Sequence, residues 1–241
     1  MTRLSLGFWV LGFVCAVAVL VMPPPLVAAG RLVTFPGFDQ RPSSGLFLEA
    51  RDRPAPAVVL VPMLGRTKDE WQAVAQQLAA INLNVLIIDL PSAALPGDPG
   101  ELQRWPEVVS GAVAYLNARS DDVQAGAIGV AGASLGANLA AVAAAGNSAV
   151  RSLALISPSL DYRGVRIESA LSEYGARPAL LLASVHDPYA ARSVRTLARG
   201  AEGVRDVRWS SIPAHGTVLL EKDAELVRAL LEWFQLTLVM N

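Results

Sequence analysis

The chain has 241 residues, with 20 Lys+Arg against 21 Asp+Glu, one Cys and two His. A net charge of −1 leaves no basic footprint for nucleic acid, and so few Cys and His exclude an intrachain disulfide or a zinc-finger-type metal site. Charged residues make up 17%, against roughly 25% in an average soluble domain, and any His-dependent chemistry falls to His186 or His215.

The N-terminus opens with Arg3 and an apolar run, Leu4 to Met22, in which Ser5 is the only polar side chain. Pro23 to Pro25 stop any helix, and Val27-Ala28-Ala29 supplies small residues before Gly30. Positive start, apolar middle and small-residue end form the order of a secretory signal. The run exceeds the usual signal core of about 7–15 residues and is long enough to span a bilayer. Residues 1–29 therefore read as a cleaved signal or as an uncleaved membrane anchor. Both readings imply export, to the periplasm or the cell exterior, with membrane contact only through residues 4–22. Cys15 lies in mid-run behind Phe13 and Val14, which does not suit a lipoprotein cysteine. Residues 30–241 are left as one domain.

Arg31–Phe35 and Leu46–Glu49 read as strands, separated by a turn at Arg41–Gly45. Ala57–Val61 is a continuous apolar run, as expected of a strand buried on both faces. Trp71 to Ala80 has helical spacing, Val85–Leu90 reads as a strand, Pro91 to Gly100 as a loop, and Glu101 to Ala118 as a helix. Strand Ala127–Ala131, helix Ala137–Ala145 and strand Ser152–Ile156 follow. After a loop and short helix come strand Ala179–Ala183, helix Ala190–Arg199, strand Val207–Ser210 and a terminal helix from about Asp223. This alternation predicts an α/β fold, a mostly parallel sheet covered by helices on both faces.

Gly132-Ala133-Ser134-Leu135-Gly136 matches G-x-S-x-G between a strand and a small-residue helix, the setting of a nucleophile elbow. The blander reading of Ser134 is a helix cap in a Gly-rich turn. A Ser hydroxyl needs an adjacent base, and His215 lies after the last strand in Ile212-Pro213-Ala214-His215-Gly216-Thr217. Asp187 follows strand Ala179–Ala183, where it can orient the His ring or simply cap the helix that Pro188 begins. His186 is expected to be peripheral. Each of the three falls on a loop after a strand, in the chain order Ser, acid, His. Asp161, after the preceding strand, is the alternative acid.

On these residues, together with Asp187-Pro188-Tyr189, His215-Gly216 and the Trp71 loop, the chain resembles the α/β-hydrolase superfamily. Within it the chain looks like a dienelactone-hydrolase-related protein. Ser159-Leu160-Asp161-Tyr162-Arg163-Gly164 resembles a loop of bacterial relatives of that group. The resemblance covers nearly everything from Arg31 onward. It implies a Ser134–His215–Asp187 triad that forms an acyl-enzyme. Dienelactone hydrolases carry a Cys nucleophile where this chain has Ser134, so the resemblance does not fix their particular substrate for this chain.

Family members usually carry His-Gly after the third strand; here the segment is Val61-Pro62-Met63-Leu64-Gly65. The oxyanion donors are then expected to be the Met63 and Leu135 amides, since Pro62 has no N–H. Only 22 residues separate Ile156 from Ala179, which implies little or no cap and an open site, with Leu64 and Tyr189 expected to line it. A small ester or thioester is the expected substrate. No P-loop, G-x-G-x-x-G or H-E-x-x-H motif occurs, so no cofactor or metal is expected. The alternative function is a catalytically silent binding or scaffold protein of the cell envelope on the same fold.

Overall fold

The structure, a computed structural model, describes residues 29–199 and 202–239. The expected export segment, with Cys15, lies outside the described residues except for Ala29.

In chain order the described residues form β1 (Gly30–Pro36), β2 (Pro42–Leu48), β3 (Ala55–Val61), α1 (Gln72–Ala80), β4 (Asn84–Ile88), α2 (Pro99–Arg104) and α3 (Pro106–Asn117). There follow β5 (Val123–Ala133), α4 (Leu135–Ala145), β6 (Val150–Ile156), α5 (Glu168–Tyr174), β7 (Ala179–Ser184), α6 (Pro188–Arg199), β8 (Arg205–Ser210), α7 (Thr217–Lys222) and α8 (Ala224–Phe234). Among these residues the strands build one eight-stranded sheet in the order β1-β2-β4-β3-β5-β6-β7-β8. β2 runs antiparallel to β1 and β4, and every other neighbouring pair is parallel.

Burial on both faces explains the continuous apolar runs. Within β3, Ala57, Val59 and Val61 join the core shared with α3, α4 and α6. Val58 and Leu60 join the opposite core with α1 and α8. Helix α4 is buried along almost its whole length, and its alanines let it lie close to the sheet between α3 and α5. Arg177 closes its C-terminal end, donating to the carbonyls of Ala144, Ala145, Asn147 and Val150 at 2.7–3.0 Å. A cation suits that end of a helix, where carbonyls lack partners.

From β3 the chain runs through α1 to β4 on one side, and from β4 it crosses back through α3 on the opposite face to β5, so the strand order reverses between β3 and β5. In open α/β sheets such a switch point opens a crevice beyond the carboxyl ends of the strands, the usual ligand position. Ser134 follows β5 directly there, in register beside the Pro62–Gly65 loop that follows β3.

Several boundaries differ from the sequence reading. The expected turn at Arg41–Gly45 lies mostly within β2, and the chain reverses earlier, through a 3-10 turn at Phe38–Gln40 closed by the Gly37 N–H on the Arg41 carbonyl. The ladder ends at Pro36 opposite Pro42, where no pairing N–H is needed. The helix expected from Glu101 to Ala118 is two, because Pro106 has no N–H to donate to the preceding turn, although Trp105 before it keeps helical dihedrals. The expected terminal helix is preceded by the short α7, and Asp223 caps α8 by accepting from the Glu225 and Leu226 N–H groups.

Candidate active site

The turn after β5 is set by close backbone approach. A Cβ on Gly132 would lie 2.1 Å from the Gly136 carbonyl oxygen, and one on Gly136 would lie 2.5 Å from the carbonyl oxygens of Val61 and Pro62. Glycine is therefore required on both sides of Ser134. Gly136→Ala is expected to destabilise the fold by about 1–3 kcal/mol, the scale of an overpacked core, as read by thermal unfolding. Ser134 itself adopts φ 53 and ψ −120, a strained conformation of the kind that costs about 1–3 kcal/mol and clusters at functional sites. Its N–H donates to the Ile156 carbonyl at 2.9 Å, and its carbonyl accepts from the Ala137 N–H at 3.0 Å. Its side chain makes no cap hydrogen bond to α4.

The Ser134 hydroxyl instead meets His215, with Oγ 2.8 Å from Nε2. The other ring nitrogen, Nδ1, lies 2.5 Å from Asp187 Oδ2. A carboxylate only accepts, so Nδ1 carries the proton and Nε2 is free to accept from the hydroxyl. Asp187 makes both contacts considered for it, each with a different oxygen. Oδ1 accepts from the Ala190 N–H at 3.1 Å and caps α6, while Oδ2 holds the imidazole. The Asp187 side chain is 14% exposed and that of His215 50%, so the carboxylate is sheltered and the ring faces the crevice. His186 is exposed, and among the described residues its one hydrogen bond is from its backbone N–H to Ser184 Oγ.

Asp161 reaches the same crevice with its carboxyl already engaged. One oxygen accepts from the Gly164 N–H at 2.6 Å and the other from Arg166 Nε at 2.9 Å. The Gly164 amide first, and then Arg166, hold its pKa below the usual carboxylate range. The structure thus places Asp187, not Asp161, on His215.

The two expected oxyanion donors differ in state. Leu135 opens α4, and its N–H has no partner among the described residues, as the first N–H of a helix normally lacks one. The Met63 N–H donates to Glu70 Oε1 at 2.7 Å, so it is committed elsewhere in this conformation. The Leu64 N–H, next along the loop, has no hydrogen-bond partner among the described residues.

Glu70 is the residue that sequence reasoning missed. Its second oxygen accepts from Thr217 Oγ1 at 2.6 Å, so one carboxylate ties the loop after β3 to the segment after His215. Burial pushes its pKa up, partly offset by the Thr217 and Met63 donors. Beside it Trp71 is fully buried and donates Nε1 to the Val61 carbonyl at 3.2 Å. The Met63 side chain packs against the Cα of Gly216, whose φ of 58 turns the chain just after His215. The Gly216 N–H donates to Ser157 Oγ at 3.0 Å.

A cavity of about 370 Å³ opens over this triplet, lined by Ser134 and His215, by Ser157 to Ser159, by Asp161 to Arg163, and by Tyr189 and Ala190. Tyr189 is on this wall, beside Ala190. Leu64 is not on this wall; it packs, partly buried, against the core on the α3 and α4 face of the sheet.

No protein-family model matches the chain, and no curated protein matches it in sequence. Solved structures do resemble it. A dienelactone hydrolase from Anabaena variabilis is 19% identical with a TM-score of 0.71, over 88% of this chain and 99% of that one. DcsB, solved with its substrate analogue, is 14% identical with a TM-score of 0.74, over 87% and 99%. An esterase from Pyrobaculum calidifontis is 22% identical with a TM-score of 0.62, over 86% and 85%. At these identities the likeness speaks for the fold.

Proposed function

We propose that this chain, which has the α/β-hydrolase fold, is a serine hydrolase cleaving small carboxylic esters or thioesters through an acyl-enzyme on Ser134. The observation that carries this reading is the continuous line from Asp187 through His215 to Ser134. In the proposed cycle His215 Nε2 takes the Ser134 proton as Oγ bonds to the substrate carbonyl carbon. The resulting oxyanion sits at the N-terminus of α4, where the Leu135 N–H and the helix dipole favour negative charge. A second donor comes from the loop after β3, as the Met63 N–H once Glu70 releases it or as the Leu64 N–H. The protonated His215 then gives its proton to the departing alcohol or thiol. Water attacks the acyl carbon by the reverse sequence, losing its proton to His215 and restoring the Ser134 hydroxyl.

The cavity lies near the lower end of ligand pockets, which run from about 300 to 1,000 Å³, so short acyl groups fit best. Rates on p-nitrophenyl esters are expected to fall steadily from butyrate to dodecanoate, and Ser134→Ala is expected to lose turnover of the whole series. Equal rates for long and short chains, or activity surviving in Ser134→Ala, would contradict the reading.

Glu70 is proposed as a positioning residue that holds the loop after β3 against the His215 segment. Misplacing one oxyanion donor costs about 10²–10³ in rate, so Glu70→Ala is expected to lower kcat at least tenfold with KM changing less. Glu70→Gln, which can accept from Met63 and still hydrogen-bond Thr217, is expected to restore most of it. Equal losses in both variants would make the charge, rather than the tether, the active feature.

The commitment of the Met63 N–H to Glu70 is also the observation that favours the second reading, a catalytically silent binding protein. The Leu4–Met22 run supports export of the domain, and fractionation of the chain with and without residues 1–29 tests it.

A further inference from the structure

The short connection between β6 and β7 carries a hairpin where a larger lid has no room. Asp161–Tyr162 pairs antiparallel with Val165–Arg166, and the two residues between them, Arg163 and Gly164, have φ of 49 and 91. Two successive positive φ values make a tight hairpin of the kind that favours Asn-Gly. Arginine is a poor choice for the first position, since its Cβ makes the left-handed conformation costly.

The hairpin is bolted to the helix that carries the nucleophile. Asn138, fully buried on α4 one turn after Ser134, donates Nδ2 to the carbonyls of Ser159 and Val165 at 2.9 and 2.8 Å. Its Oδ1 accepts from the Ser159 N–H at 3.1 Å. Asp161 closes the turn on Gly164 and neutralises Arg166. Arg163 is left with no ion pair or hydrogen bond among the described residues, on the same cavity wall as Ser134 and His215. The other charged side chain on that wall, Asp161, is already paired.

We propose that Arg163 is a specificity-determining residue that selects esters bearing a carboxylate. This deepens the hydrolase reading and rests on it. A guanidinium presents a planar fork that pairs bidentately with a carboxylate, and the anchored hairpin fixes where that charge is met. The backbone strain at Arg163 is then retained for its side chain.

The test compares mono-4-nitrophenyl glutarate with neutral 4-nitrophenyl pentanoate, adding 4-acetoxybenzoate against phenyl acetate to separate an anion on the acyl side from one on the alcohol side. Hydrogen bonds to charged groups are worth enough to give a preference of about 10- to 100-fold in kcat/KM, and exposure puts the expectation at the lower end. The preference should shrink with added salt. Arg163→Asn suits the turn, so it should not lower the unfolding temperature, and it should bring the ratio of the two rates close to one. An anionic preference absent from the wild type, or intact in Arg163→Asn, would overturn the proposal. If neither ester is turned over, the hydrolase reading fails, and binding of monoethyl glutarate then tests the anion site by itself. Weakening by about tenfold in Arg163→Asn supports the site, and no change refutes it.

Discussion

Replacing His215 with Ala is expected to lower kcat on short esters by about 10⁶-fold, the scale seen when one member of a Ser–His pair is removed. The size of the effect follows from composition and placement together. The chain has two His, and among the described residues His186 lies exposed with only its backbone engaged. His215 Nε2 is the group on the Ser134 hydroxyl, at 2.8 Å. Asp187 sits on the far ring nitrogen and cannot take the Ser134 proton directly. KM should change little, because the imidazole acts on the reacting proton more than on the bound ester. Ser134→Ala should match this loss, and the double variant should lose no more than either single one. Additive losses would mean that the two residues do not act as a unit.

Asp187→Asn is expected to lower kcat by about 10⁴-fold, as loss of the orienting acid does where this arrangement is known to operate. The substitution is informative because Asn is also a good helix cap, so the bond to the Ala190 N–H and the start of α6 survive. What changes is the contact with the ring. A side-chain amide donating to Nδ1 favours the tautomer protonated on Nε2, which cannot accept from Ser134. Asp161→Asn should leave kcat near the wild-type value and act mainly on the hairpin, since that carboxyl is held by Gly164 and Arg166. A large loss in Asp161→Asn with a small one in Asp187→Asn would reverse the assignment. Ester kinetics with circular dichroism on both variants decides it.

Much of the fold was legible because burial on both faces leaves a direct mark on sequence. Polar–apolar alternation is absent from β3 for a physical reason: Ala57, Val58, Val59, Leu60 and Val61 all have core on their side of the sheet. The proposed nucleophile was legible through its glycines, because only glycine fits where α4 passes within contact of the β3 carbonyls. What escaped were features decided by distant contacts. Glu70 joins Met63 to a hydroxyl 147 residues further on, and no local spacing announces such a tether. The commitment of the Met63 N–H followed from it, so a donor that reads as available in sequence is engaged in the folded chain. Pro106 ends α2 although the apolar spacing on either side of it has the period of one continuous helix.

The central claim is that Ser134 is an activated nucleophile. Labelling with a fluorophosphonate probe, followed by peptide mapping, tests it most directly. The account predicts one covalent adduct on the peptide carrying Ser134, absent from Ser134→Ala and strongly slowed in His215→Ala. A folded protein that resists the probe at Ser134, or takes it up elsewhere at the same rate in both variants, would contradict it and favour the silent binding protein.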